Sequence, residues 1–183
     1  MSALHTILLF LAAFLGVYAQ AAFPVVRHLL GAQVDILPAL MVYAALHTSL
    51  NVVCLLALVG GLLFDSLSAN PLGVSILPLF AVGCVIWLRR ELILRDQVFA
   101  QIVLGFAASA VVPVTCVLLI LTAGQSPLLG WGSLWQWLVM TVGGGLAAPL
   151  IFLLFGWFNR TFGYQPVPET SFRPDREIRR GRL

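Results

Sequence analysis

The sequence predicts an all-α fold, a polytopic membrane bundle of about six transmembrane helices. Hydrophobic residues make up 61% of the 183 positions and charged residues only 9%, and the mean hydropathy is +1.02. Water-soluble domains have a far more polar composition. Charged residues are also missing from four stretches, each longer than the roughly 20 residues that a helix needs to cross a bilayer. These stretches are 4–26, 36–64, 66–88 and 97–159.

The first predicted span is 4–23. Its apolar run is followed by the small residues Ala19 and Ala21, a pattern that also occurs at signal-peptide cleavage sites. No Lys or Arg precedes the run, whereas a signal peptide normally starts with a basic segment. The run also continues to Phe23, which is long enough to span a bilayer. We therefore expect a retained first helix.

The stretch 36–64 allows two interpretations. Its 29 residues form either one tilted helix of about 44 Å or two short helices. The polar break at 47–51 favours two, over 36–47 and 50–64. Short helices of this kind need polar ends that reach the interface, or neighbouring helices that cover them. Five spans are thus the minimum and six the prediction, and the remaining spans are 73–89, 98–121 and 133–157.

Small residues and prolines recur inside these spans. Gly105 and Ser109 are four residues apart, as are Gly144 and Ala148, and this spacing permits close approach between helix backbones. Prolines should kink or locally break helices where neighbouring helices cover the freed backbone. They lie at Pro38, Pro78, Pro113 and Pro149.

Arginine placement predicts the orientation. All ten basic residues are arginine, and nine fall in two clusters separated by two predicted spans. The clusters therefore share one side of the membrane, which the positive-inside rule makes the cytoplasmic side. With six spans, both termini are cytoplasmic. Trp135 and Trp157, 22 residues apart, are expected at the two interfaces. The residues that set the orientation are Arg89, Arg90, Arg95 and Arg160.

The C-terminal tail, 159–183, is basic and contains three prolines. It lacks apolar periodicity, which is typical of a disordered segment. Its six arginines exceed its three acidic residues, so we expect it to associate with anionic lipid or to remain solvated. The alternative is a docking peptide for a cytoplasmic partner.

Residues that carry chemistry are scarce. The sequence has no phosphate-binding Gly-rich loop with a lysine, no HExxH and no nucleophile elbow. His47 and Asp65 are 18 residues apart, about 27 Å if both lie on one helix, which is too far for a His–Asp pair unless the chain turns between them. We therefore expect no enzymatic activity, no cofactor and no metal site.

Asp65 has two interpretations. A carboxylate at a helix centre in the membrane costs roughly 2.5 to 3.5 kcal/mol and is seldom retained without a function. Asp65 and Ser66 also end an apolar run, and the Asn-Pro-Leu-Gly that follows at 70–73 is ordinary loop and capping chemistry. The interfacial position favours the second interpretation, and the first stays open.

The segment 35–80 resembles the MreD family, the rod shape-determining membrane proteins of bacteria. The closest correspondence is GGLLFDSLSANPLG at 60–73. Members of that family tend to show an apolar helix that ends in Gly-Leu-apolar-apolar-Asp, followed by a short loop that closes with Pro-Leu-Gly. The residues at these places, together with the asparagine before the proline, are Gly61, Leu62, Asp65, Asn70, Pro71, Leu72 and Gly73.

The resemblance implies a non-enzymatic scaffold of the cell-elongation complex in the bacterial inner (cytoplasmic) membrane, involved in rod shape determination and peptidoglycan synthesis. The implied partners are an MreC-like protein and, through it, a RodA-type glycosyltransferase and a penicillin-binding protein. The lipid bilayer is the other expected partner, and nucleic acid is not expected. We expect lateral helix faces to bind these proteins, with the hairpin 61–73 fixing one such face.

The MreD fold is also similar to the substrate-binding components of energy-coupling-factor vitamin transporters, which gives the alternative function. Vitamin capture needs several convergent polar groups in a pocket on the outer face. The predicted outward loops offer few such groups.

Overall fold

The computed structural model describes residues 3–22, 31–68, 71–93, 97–124 and 130–162. Within these ranges the regular structure is entirely helical, which confirms the predicted fold class. The described helices are α1 Ala3–Ala22, α2 Leu37–His47, α3 Leu50–Leu67, α4 Ile76–Arg89, α5 Val98–Thr122 and α6 Trp131–Phe162.

A helix occupies each of the six predicted segments, and three of the bounds differ by three residues or more. Helix α3 continues to Leu67. Helix α4 begins at Ile76 rather than at 73 because residues 72–75 form a turn. Helix α6 continues to Phe162, so the predicted tail begins as helix, since nothing in its first four residues stops one. The rest of the predicted tail, 163–183, lies outside the described residues.

Consecutive helices run antiparallel. The contacts between neighbours in the chain join the start of one helix to the later part of the other. The chain therefore passes up and down through the bundle. One end, which we call the arginine end, carries Arg89, Arg90 and Arg160, and the other, the aspartate end, carries Asp35 and Asp65. The contacts that fix the directions join His5 to Tyr43, Leu37 to Gly60, Gly61 to Ile76, Ser75 to Cys116 and Ala110 to Trp137.

Four of the described helices, α1, α3, α5 and α6, are long and apolar enough to cross a membrane. Helices α2 and α4 have 11 and 14 residues, about 16 and 21 Å, and are shorter than the roughly 30 Å of hydrocarbon in a bilayer. Neighbouring helices cover α2, as expected for a short helix of this kind. Residues 37–46 are buried on every side, and α2 contacts all five other described helices.

Small residues make the tightest helix contact, between α5 and α6. A Cβ atom built on Gly105 would lie 2.6 Å from the Cβ of Ala148 and 2.9 Å from the carbonyl oxygen of Gly144. The side chain of Ser109 occupies the space in front of Gly144. Gly105 and Ser109 of α5 thus pack against Gly144 and Ala148 of α6. Small residues at this spacing pack in the same way between membrane helices.

The prolines do not break the described helices. Pro38 lies in the first turn of α2, and Pro78 lies in the first turn of α4, where the missing N–H has no helical partner to lose. Helices α5 and α6 continue through Pro113 and Pro149. Of the two predicted effects, a local break does not occur at these prolines, because the two at helix starts lose no hydrogen bond and the other two lie in helices packed along their length.

Candidate functional site at the aspartate end

The carboxylate of Asp65 joins the end of α3 to the start of α4. The side chain is 2% exposed. Its Oδ2 accepts hydrogen bonds from the backbone N–H groups of Gly73 at 2.8 Å and Ser75 at 3.1 Å. Its Oδ1 accepts a third, 2.5 Å long, from the Ser75 hydroxyl. N–H groups at a helix start lack helical partners, so Asp65 caps α4 from across the loop.

Gly61, one turn before Asp65 on α3, allows α3 to approach the start of α4. A Cβ on Gly61 would lie 2.9 Å from Cγ1 of Ile76 and 3.0 Å from its backbone nitrogen and Cα. Contacts of this length with backbone atoms cannot be relieved by a side-chain rotation. The glycine therefore sets the helix separation at which the short Asp65 side chain reaches its donors.

Gly73 closes the loop with a backbone conformation that suits glycine. Its φ angle is +93°, a region that L-residues with a Cβ rarely adopt. Pro71 begins the turn, and its carbonyl oxygen accepts a hydrogen bond of 3.3 Å from the N–H of Val74. The positive φ at Gly73 directs its N–H towards Asp65.

We expect Gly73→Ala to lower the free energy of unfolding by about 1 to 2 kcal/mol, the usual cost of placing a Cβ in left-handed backbone. Space is not the cause, because the nearest atom to a Cβ there is Cδ1 of Ile76 at 3.9 Å. SDS-titrated unfolding in mixed micelles measures the change. Leu72→Ala, at the exposed neighbouring position, is the control and should change stability little. Equal losses in both variants would contradict the backbone argument.

The remaining residues of the resemblance do not join this network. Leu62 is 41% exposed and Leu72 is 71% exposed, so both point away from the bundle. Asn70 lies outside the described residues. Within the hairpin, Gly61, Asp65 and Gly73 make the internal contacts that hold its shape. Leu62 and Leu72 lie on the outside and present an apolar surface.

A second buried carboxylate, Asp35, lies at the same end and was missed by the sequence interpretation, which considered Asp65 alone among the acidic residues. Asp35 is buried in the connection ahead of α2, and its Oδ1 accepts a 3.0 Å hydrogen bond from the N–H of Leu37. Burial raises the pKa of Asp35 to about 6, against the opposing effect of that hydrogen bond. An Asp placed just ahead of a helix with proline in its first turn was the available signal.

His47 is the last residue of α2 and Asp65 lies near the end of α3, at opposite ends of the bundle, so the structure does not bring them together. His47 belongs instead to an aromatic cluster at the arginine end. Its ring stacks on Tyr43 with centroids 4.5 Å apart, and the Tyr43 hydroxyl is 3.1 Å from Nε2 of His5. In the part of the chain that the structure describes, no group of three His, Cys, Asp or Glu side chains is arranged to hold a metal ion.

Three of the four arginines chosen for orientation, Arg89, Arg90 and Arg160, share one end of the bundle. Arg90 lies over the Trp87 ring, 4.7 Å from its centroid, and its Nη1 donates a 3.2 Å hydrogen bond to the carbonyl oxygen of Thr48. Arg89 is exposed on the last turn of α4, and Arg160 is exposed on the last turns of α6. Arg95 lies outside the described residues.

An antiparallel bundle with four helices long and apolar enough to span a bilayer defines the class of this chain, a polytopic helical membrane protein. Comparisons with protein-family models, curated proteins and solved structures find no match to it.

Proposed function

We propose that this chain is a non-enzymatic membrane scaffold of bacterial cell elongation, acting in rod shape determination and peptidoglycan synthesis from the cytoplasmic membrane. Its partners in this proposal are an MreC-like protein and, through it, a RodA-type glycosyltransferase and a penicillin-binding protein. One observation carries the proposal. The carboxylate of Asp65 is bonded to three donors of its own chain, so it serves to hold a hairpin in shape.

The hairpin presents apolar stripes on the sides that face away from the bundle. Leu55, Leu58 and Leu62 are exposed at spacings of three and four residues on α3, which places them on one helix face. Leu77 and Leu88 are exposed on α4. We call these five residues the hairpin stripes. Because Asp65 and Gly61 fix the separation of the two helices, the stripes keep a constant geometry, which suits recognition by a partner helix.

Among the described residues, the cavity beside the end of α3 is small, which favours a scaffold over a vitamin-binding component. At the aspartate end, a cavity of about 130 Å³ lies between α1 and the end of α3. Pockets for small molecules usually measure about 300 to 1,000 Å³. Its lining residues are Val17, Gln20, Ala21, Gln33, Phe64, Leu67 and Ser68.

Affinity purification of the tagged chain from native membranes, with partners identified by mass spectrometry, tests the proposal. We expect an MreC-like protein and elongation enzymes. In Leu58→Trp and Leu62→Trp their recovery should fall about tenfold, because a bulky ring within an interface costs on the order of 1 to 3 kcal/mol. Leu118→Trp, an exposed leucine on α5, is the matched control and should keep its partners.

The competing outcomes are distinct. Recovery of an energy-coupling transmembrane subunit with its ATPases would contradict the scaffold function and support the alternative, a vitamin-binding transport component. If the Leu118→Trp control loses an MreC-like partner as strongly as Leu58→Trp and Leu62→Trp do, the hairpin stripes are not the specific interface. A purification that yields neither group of partners would contradict both functions.

A further inference from the structure

A large cavity lies at the arginine end, between α2, α5 and α6, and its volume is about 670 Å³. This is within the usual range of about 300 to 1,000 Å³ for ligand sites. None of its lining residues belongs to the hairpin helices α3 and α4, so it is independent of the proposed scaffold function. The residues that line it are Tyr43, His47, Val98, Gln101, Phe152, Leu153, Phe155, Gly156, Trp157, Asn159 and Arg160.

The deep wall of this cavity is aromatic and held in place by ring contacts. Tyr43 stacks on Phe155 with centroids 4.5 Å apart, and Phe152 meets Tyr43 edge-on at 5.0 Å. All three side chains are buried. Packed rings of this kind give a preformed apolar surface, which lowers the ordering cost of binding.

The rim of the cavity is exposed and changes from apolar to polar along α6. Leu153 and Trp157 are exposed apolar side chains, and Asn159 and Arg160 follow them within one turn. Helix α6 has 32 residues, about 48 Å, and exceeds the roughly 30 Å hydrocarbon layer. With Trp157 at the interface, as a belt residue, Arg160 lies at the level of the lipid headgroups.

The described part of the chain does not supply an anion for Arg160. Its only acidic residues are Asp35, Asp65 and Glu91. The first two lie at the opposite end of the bundle, and Glu91 forms no ion pair with Arg160. Val98, the first residue of α5, also borders the cavity, and a helix N-terminus adds partial positive charge. The rim therefore favours a negatively charged group next to an apolar wall.

We propose that this cavity binds one anionic phospholipid, with its phosphate at Arg160 and an acyl chain along Phe152, Leu153 and Trp157. The arginine end faces the cytoplasm under the positive-inside rule, and basic pockets between membrane helices on that side suit anionic headgroups. The apolar wall distinguishes a lipid from a free phosphate, which would make no use of the exposed leucine and tryptophan.

Native mass spectrometry of the full chain in detergent, titrated with phosphatidylglycerol or phosphatidylcholine, tests this site. We expect one phosphatidylglycerol to bind in preference to phosphatidylcholine. Arg160→Gln should weaken phosphatidylglycerol binding about fivefold, since an arginine near anionic lipid contributes about 1 kcal/mol. Leu153→Trp, which fills the cavity and retains the charge, should weaken binding of phosphatidylglycerol by a similar factor.

Two control variants separate a built site from general surface attraction. Arg89→Gln removes an exposed charge at the same end but outside the cavity, and Leu150→Trp adds the same ring one turn away from Leu153. Both should bind phosphatidylglycerol as the unaltered chain does, and thermal unfolding verifies that all four variants are folded. Equal weakening in Arg89→Gln and Arg160→Gln would overturn the site, as would equal affinity for the two lipids. Displacement of the lipid by millimolar inorganic phosphate would assign the cavity to a soluble anion instead.

Discussion

We expect Asp65→Ala to lower the free energy of unfolding by about 3 to 5 kcal/mol, because each buried donor left without an acceptor costs about 1 to 3 kcal/mol. The variant removes the acceptor of the Gly73 N–H, the Ser75 N–H and the Ser75 hydroxyl together. The hole left at a buried position adds to the loss. SDS-titrated unfolding in mixed micelles measures it, followed by the fluorescence of the tryptophans.

Ser66→Ala is the matched control for this change. Ser66 follows Asp65 on the same turn, is exposed, and donates only to the carbonyl oxygen of Leu63 at 2.8 Å. We expect its replacement to change stability by less than about 0.5 kcal/mol, as for most surface substitutions. Similar losses in Ser66→Ala and Asp65→Ala would show that the helix end, rather than the carboxylate, is sensitive.

A double-mutant cycle with Ser75→Ala tests whether the carboxylate acts through α4. Ser75→Ala keeps the backbone N–H of Ser75 and removes only the hydroxyl that donates to Asp65, so the two replacements share that one hydrogen bond. The loss in the double variant should therefore be smaller than the sum of the single losses. Strictly additive losses would mean that the hydroxyl bond contributes nothing and that Asp65 acts on α4 through the backbone N–H groups alone.

The same two variants distinguish the interpretations of Asp65 that the sequence left open. If Asp65 only holds the hairpin, Ser75→Ala and Asp65→Ala should reduce recovery of an MreC-like partner in proportion to their loss of stability. If Asp65 contacts the partner directly, Asp65→Ala should abolish recovery beyond what its stability explains. Both carboxylate oxygens accept hydrogen bonds from internal donors and the side chain is buried, which favours the first outcome.

The helix positions were predictable because they follow from where charge is missing. The break between α2 and α3 was predictable from its polar residues for a specific reason. The hydroxyl and the N–H of Thr48 both donate to the carbonyl oxygen of Ala44, at 2.7 and 2.8 Å. The same hydroxyl bond occurs at Thr115 and Thr141 within α5 and α6, which continue, so it is the whole polar run at 47–51 that marks the break. Local chemistry of this kind is visible in the order of the residues.

Packing directions were not predictable, because the helices are apolar on nearly all faces. Helix α2 is buried all round, and no periodicity distinguishes a central helix from a lipid-facing one of the same composition. The cavity at the arginine end was hidden for a related reason. It combines Tyr43 of α2, Gln101 of α5 and Arg160 of α6, which are far apart in the sequence and form no motif. Asp65 was found from its own place in the sequence, as a carboxylate at the end of an apolar run that is followed by the loop residues 70–73.

Gly105→Leu should cause the second large loss of stability, about 3 kcal/mol or more, since overpacking a tight core costs roughly 1 to 3 kcal/mol and can cost more. Even a Cβ at this position would lie 2.9 Å from the Gly144 carbonyl oxygen and 3.2 Å from Cα of Gly145. Both are backbone atoms, so α5 and α6 must move apart to admit a side chain. Helices α5 and α6 form the most extensive helix contact of the bundle, and separating them removes those contacts. It also weakens the packing of α6 against α2.

Gly105→Ala with Gly156→Ala gives a matched comparison for this argument, because both place one methyl group in a helix interior. A Cβ on Gly156 would meet nothing within 4 Å, so that variant should keep or slightly raise stability, alanine being the better helix former by about 1 kcal/mol. Gly105→Ala should instead lose stability despite the same gain in propensity. If Gly105→Ala lowers the free energy of unfolding and Gly156→Ala does not, Gly105 is required because the α6 backbone lies close to it. Equal changes in the two variants would refute the close packing of α5 against α6.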